Sequence, residues 1–342
     1  ESAPPATEKG VIKWMRENLF SSVLNTILTF LSVYAIYLIV AGEITVGGLI
    51  AANILAGRAL APLSMIAQTI FRGQYARKSM HALNDIMSRE TDRTEKVLSS
   101  LRVRTGAVSL QNVSFSYPGS KVPAISELTL DIPQGERVAL LGRVGSGKST
   151  LGKLLAGLMQ PDKGTIIVDA HGLSQYDPAE LREGIGDLPQ TLEFFTGTLK
   201  ENLLIGRQNS SQSQIEKALY VSGLDEFVSH APEGLNLFIG DRGSRLSGGQ
   251  AQALALARLL LRQPKLIFLD EPTNAMDKEM EARVCERLKR ELEADTGLIL
   301  CTHRQPLADI ADRYVVLEAG RKVLDGPRDT VMARLVSASR RK

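Results

Sequence analysis

The stretch GRVGSGKST, Gly142 to Thr150, stands between the apolar run ERVALLG and the helically spaced run KSTLGKLLAGL. Gly142, Gly147, Lys148 and Ser149 fit G-x-x-x-x-G-K-[ST] in the strand-then-helix setting that gives this pattern its meaning. It commits the chain to an α/β unit in which a strand feeds a glycine-rich loop into the start of a helix. Glycines let backbone N–H groups converge on phosphate oxygens, and the helix N-terminus adds its positive dipole end. Gly142, Arg143, Val144, Gly145, Ser146, Gly147, Lys148, Ser149 and Thr150 are therefore expected to hold a nucleotide's phosphates. Lys148 would neutralise the β- and γ-phosphates and Ser149 would hold Mg²⁺. A chance glycine-rich turn before a helix is the competing reading, and the flanking elements weigh against it.

KLIFLDEPTNAMD supplies a second half-site. Leu266 to Leu269 read as a buried strand ending in Asp270 and Glu271. In an open α/β sheet ligands bind outside the carboxyl ends of the strands, which puts this pair beside the phosphate loop. Asp270 is placed for Mg²⁺, directly or through water, and Glu271 to polarise an attacking water. A lone Asp-Glu pair would more often be a solvated strand end, so its specificity comes from its company. Between the two half-sites lies LSGGQ, Leu246 to Gln250, which holds no acid, base or cation.

The first ninety residues differ in kind. From Asn18 to Gly42 there is no charged residue, and Ile44 to Phe71 carries only Arg58. Each run is long enough to cross about 30 Å of hydrocarbon as a helix. Glu43 lies in the turn between them. Lys9, Lys13 and Arg16 precede the pair, and Arg72, Arg77 and Lys78 follow it, so both ends are expected in the cytoplasm. A signal peptide and a buried soluble hairpin are the rival readings; two spanning-length runs and no A-x-A cleavage pattern count against the first. Arg58 is costly at mid-depth and lines a transport path or meets a structural partner, two readings that stand level. Pro62 suggests a kink. The second span is expected to run on as a polar cytoplasmic helix to about residue 90, with residues 91–105 a linker. The strand-like alternation AVSLQNVSFSY then opens a separate domain, 106–342.

Composition adds limits. A net charge of +3, spread along 342 residues, gives no case for nucleic-acid binding. Cys285 and Cys301 lie outside any metal-ligand spacing and read as free thiols in a reducing compartment.

With GRVGSGKST, LDEPTNAMD and LSGGQ in hand, the chain resembles the ATP-binding cassette (ABC) transporters over its whole length: an ATPase domain preceded by the last two membrane helices of an exporter. The fold implied is an α/β P-loop NTPase, with an antiparallel β subdomain and a helical subdomain, preceded by an α-helical transmembrane hairpin. The cofactors implied are ATP and Mg²⁺. In that family two cassettes face each other head to tail, and the signature of one caps the ATP held by the other. Ser247, Gly248, Gly249 and Gln250 would thus act as an anion clamp for a second copy. The resemblance assigns adenine stacking to Tyr117 in FSYPG, and Mg²⁺ sensing and linkage to the membrane domain to Gln190 in DLPQ. It assigns a dimer-seam role to Asp277 in NAMD and a γ-phosphate contact to His303 in LILCTHR. Alone, Tyr117 would read as a strand-edge residue and His303 as structural. Departures are Asp241 where many exporters have Glu, Ala251 after the signature, and Asp187 in an ordinarily less polar place.

GEITVGGLIAANILAGRALAPL, GRVGSGKST and DEPTNAMD together look most like the ATPase-permeases of bacterial type I secretion. That resemblance implies a multi-pass inner-membrane protein with a cytoplasmic ATPase domain, exporting a polypeptide. Its partners would be a periplasmic adaptor and an outer-membrane channel, and four further spans would precede Glu1. Lipid, peptide or drug export is the alternative within the family. A truncated chain acting only as an ATPase or clamp is the alternative outside it. Complete motifs favour a homodimer, and DNA-repair or translation ATPases of the family lack fused spans.

Overall fold

The computed structural model describes residues 22–89, 91 and 101–339. Lys9, Lys13, Arg16, the start of the first apolar run and most of the expected linker lie outside those residues. The chain divides into two units, Glu1–Glu90 and Thr91–Lys342.

Among the described residues the first unit holds two helices, α1 (Val23–Val40) and α2 (Val46–Met87). α1 stops where Gly42 takes a left-handed φ of 75°. The Gly42 and Glu43 N–H groups donate to the Ile39 and Leu38 carbonyls, each at 3.1 Å, a Schellman end. Thr45 then caps α2, its hydroxyl accepting from Gly48 N at 3.1 Å. The polar turn expected at Glu43 is thus built from a helix stop and a helix start. α2 runs unbroken through Pro62 and continues well past Phe71, with no buried residue. Its apolar side chains, among them Leu55, Met65 and Phe71, are exposed. Among the described residues α2 alone is long and apolar enough to cross a membrane; the apolar part of α1 is shorter.

The second unit contains twelve strands among the described residues. In chain order they are β1 (Val108–Phe115), β2 (Ile125–Ile132), β3 (Arg137–Leu141), β4 (Lys163–Val168), β5 (His171–Gly172), β6 (Ile185–Leu188), β7 (Gly197–Thr198), β8 (Phe238–Gly240), β9 (Leu266–Asp270), β10 (Gly297–Cys301), β11 (Arg313–Glu318) and β12 (Arg321–Pro327). An antiparallel sheet runs β2-β1-β4-β5 and a larger one runs β12-β11-β3-β10-β9-β6. In the larger sheet every pairing is parallel except β11 with β12. β9 and β10 are buried at every position, as strands covered on both faces must be.

Helix α3 (Lys148–Leu155) follows the phosphate loop, and helices α4 (Gln212–Ser222) and α5 (Gly248–Leu260) form a helical layer with a shared apolar core. Helix α6 (Lys278–Glu291) packs against α4. The register is what matters for function. Cys301 of β10 lies beside both Asp270 of β9 and Leu140 of β3, and Leu188 of β6 beside Leu269. Four strands therefore end level, and the loops after them open on one edge.

Candidate nucleotide site

That edge forms a cavity of about 550 Å³. The loop after β3 contributes Val144 to Thr150, the segment after β6 contributes Gln190, β9 contributes Asp270 with Glu271 and Asn274 beyond it, and the loop after β10 contributes His303 and Arg304. Tyr117 and Ala124 close one side. Sequence separation between these groups is large; the level strand ends bring them together.

The phosphate loop has the shape its glycines promised. Gly147 sits at φ 101°, and a Cβ there would lie 2.5 Å from the Ala124 carbonyl oxygen. No side chain fits there, so only glycine can hold this turn. The Lys148 ammonium is curled onto its own loop, donating to the carbonyls of Gly142 at 2.6 Å and Arg143 at 3.1 Å and to Ser146 Oγ at 3.4 Å. A phosphate would offer it charged acceptors in place of neutral ones. Tyr117 packs edge-on to Phe115, with ring centroids 5.2 Å apart, and its hydroxyl lies 3.2 Å from Thr150 Oγ1. The Lys153 ammonium stands over its ring at 5.8 Å.

Opposite the loop, Asp270 is buried at the end of β9 and Glu271 is the first residue beyond it. Glu271 has φ 49°, a left-handed conformation uncommon for a residue with a side chain. Its N–H donates to the Cys301 carbonyl at 2.8 Å, which fixes the residue against β10. Its carboxylate lies 3.4 Å from Thr302 Oγ1, which donates, and 3.7 Å from His303 Nε2. Its carbonyl accepts from Gln252 Nε2 at 3.2 Å, and Gln252 Oε1 accepts from Ala275 N at 2.8 Å. Thr302, Gln252, Asn274 and Arg304 belong to the site's surroundings and sequence reading missed them. Arg304 and Thr302 flank His303 in the quoted run, and Gln252 stands two residues after the signature; adjacency was the available signal.

The donor set of Ser149 hydroxyl, Gln190 side-chain oxygen and Asp270 carboxylate is all hard oxygen with a single negative charge. That fits Mg²⁺, which takes few protein carboxylates and keeps water and phosphate oxygens for the rest. No group of three His, Cys, Asp or Glu side chains among the described residues is arranged to hold a metal ion by itself.

Ser247, Gly248, Gly249, Gln250 and Asp277 do not line this cavity. Ser247 begins α5 through a capping box: its hydroxyl accepts from Gln250 N at 3.2 Å, and Gln250 Oε1 accepts from Ser247 N at 2.9 Å. Ser247 and Gly248 are exposed, so the pentapeptide presents a helix N-terminus outward, competent to meet an anion that its own phosphate loop does not bring. Asp277 likewise caps α6, accepting from Met280 N at 2.8 Å.

Asp187 lies on β6 beside Phe268. Burial pushes its carboxyl up to about 6; the charge of Asp270 adds to the rise and Lys153 opposes it. It lines a second groove with Glu193, Arg258 and Arg262.

The profile of a family described as ABC transporter matches residues 125–274, which span the phosphate loop, the signature and both acids of β9's end. The chain belongs to the ABC transporters. Leukotoxin translocation ATP-binding protein LktB of Mannheimia haemolytica is 33% identical over 290 residues, 85% of this chain and 41% of that protein. The Bibersteinia trehalosi and Mannheimia glucosida proteins of the same name match equally. A solved structure of a bacterial Atm1-family ABC exporter with ATP bound superposes with a TM-score of 0.72 at 25% identity, covering 92% of this chain and 56% of that one. This ABC chain thus spans about two-fifths of the length of the curated relatives it matches. Its second unit has the ABC ATPase fold.

Proposed function

We propose that the chain is the ATP-hydrolysing part of a bacterial inner-membrane exporter, working as two identical copies that face each other head to tail. The observation that carries this is the single cavity joining Lys148, Ser149, Gln190, Asp270, Glu271 and His303, with the signature outside it. Tyr117 stacks on adenine and the loop Gly142–Thr150 wraps the phosphates. Ser149, Gln190 and Asp270 would hold Mg²⁺, which neutralises charge on the β- and γ-phosphates. Glu271 accepts a proton from water as its oxygen bonds to the γ-phosphorus, and the bond to ADP's oxygen breaks. His303 contacts the γ-phosphate. Ser247, Gly249 and the start of α5 in the second copy donate to the same phosphate, with Gly248 and Gln250 shaping that turn and Asp277 at the seam. Closure is relayed through the Gln190 segment to the membrane helices of the exporter, and hydrolysis resets it.

Likeness to proteins named for leukotoxin translocation supports a polypeptide cargo and type I secretion, with a periplasmic adaptor and an outer-membrane channel as partners. The exposed apolar length of α2 supports a membrane-spanning role alongside further helices, with the ATPase unit cytoplasmic.

Glu271→Gln tests the reading. Hydrolysis should fall at least about a thousandfold while ATP still drives dimerisation, measured by phosphate release and by light scattering. Rapid turnover in that variant would mean the base lies elsewhere.

A further inference from the structure

Glu281 is a buried carboxylate, 6% exposed, on α6 outside the cavity. Its two oxygens are both used. One accepts from Thr273 Oγ1 at 2.7 Å and the other from Arg304 Nη1 at 2.8 Å. The other arm of the Arg304 guanidinium donates to the Asn274 carbonyl at 3.1 Å. Arg304 N donates to Thr302 Oγ1 at 3.0 Å, and that hydroxyl reaches Glu271. One planar side chain therefore bridges the segment Asn274–Asp277 and the loop that carries His303.

Glu281 is buried and Arg304 only half-buried, and such an ion pair gives little net stability. What it does give is geometry, because a guanidinium fork satisfies two acceptors at a fixed angle. Resting on the reading of Glu271 as the base, we propose that Arg304, clamped by Glu281, is a positioning residue. It ties the segment ending in Asp277 to the Glu271–His303 pair, so that displacement of that segment by a second copy reaches the groups around the attacking water. Gln252, bonded to both the Glu271 carbonyl and Ala275 N, closes the same loop of contacts from α5.

The test compares Arg304→Lys, Glu281→Gln and their double variant in the full chain, reading kcat by phosphate release, affinity with a fluorescent ATP analogue, and thermal midpoint. Lysine keeps the charge and loses the fork. The expected result is kcat down about tenfold in each single variant, affinity within about twofold of the parent, and no further loss in the double variant. Unchanged kcat in Arg304→Lys would overturn the proposal. So would a loss matched by equal loss of affinity, or one explained by unfolding at the assay temperature. Glu271→Gln run alongside separates the two ideas: if it is inactive while Arg304→Lys is normal, only the clamp fails, whereas turnover in Glu271→Gln removes the base assignment itself.

Discussion

Asp187 offers a stability measurement whose sign follows from its surroundings. It sits on β6 against β9, with the Asp270 charge nearby and Lys153 only partly offsetting it. Its carboxyl titrates at about 6 in the folded chain against an ordinary 3.8. A raised carboxyl means the folded state resists ionisation. The penalty is absent below about pH 4, grows between about 4 and 6, and is complete above about 6. The difference corresponds to ~3 kcal/mol of destabilisation at neutral pH, by about 1.36 kcal/mol per pH unit. Asp187→Asn keeps the shape and removes the charge. Its thermal midpoint in nucleotide-free detergent solution, followed by circular dichroism, should rise by about 5–10 °C at about pH 7.5 and by only about a third of that at about pH 4.5. A gain of equal size at both pH values would refute the electrostatic account. A loss at the higher pH would show that the carboxylate is held by contacts worth more than its desolvation costs.

Tyr117 carries a ring and a hydroxyl with separable roles. Tyr117→Phe should leave KM for ATP within about threefold, since the ring and its contact with Phe115 remain, whereas Tyr117→Ala should raise it about tenfold. Mixing Lys148→Ala chains with Ser247→Arg chains should restore one composite site per mixed pair. At equal amounts about a quarter of parental hydrolysis is expected from random pairing, and mixtures as inactive as each parent would remove the head-to-tail arrangement.

The phosphate loop, the acids after β9 and the signature were legible in the sequence because each is contiguous and owes its meaning to local backbone geometry. That the four loops share one edge was inferred from the rule for open α/β sheets, and the level register of β3, β6, β9 and β10 realises it. The clamp of Glu281 and Arg304 was not legible, since its members are 23 residues apart in sequence and meet only through the packing of α6 against the loop after β10. Asp187 was visible as a misfit, but its cause, burial beside Asp270, needed the sheet. In the first unit the turn at Glu43 was readable from one charge between apolar runs. Pro62 suggested a kink; the helix assignment of α2 continues through it.

Glu271, the proposed base, stands at a backbone angle that suits glycine. Left-handed geometry costs a residue with a Cβ roughly 1–2 kcal/mol. The substitution Glu271→Gly would escape that strain and discard the carboxylate at once. A library of this chain sorted for heat resistance alone would therefore drift toward glycine here and toward silence, while a library sorted for turnover would keep the awkward residue. The left-handed φ at this position marks where robustness and activity pull the same residue in opposite directions.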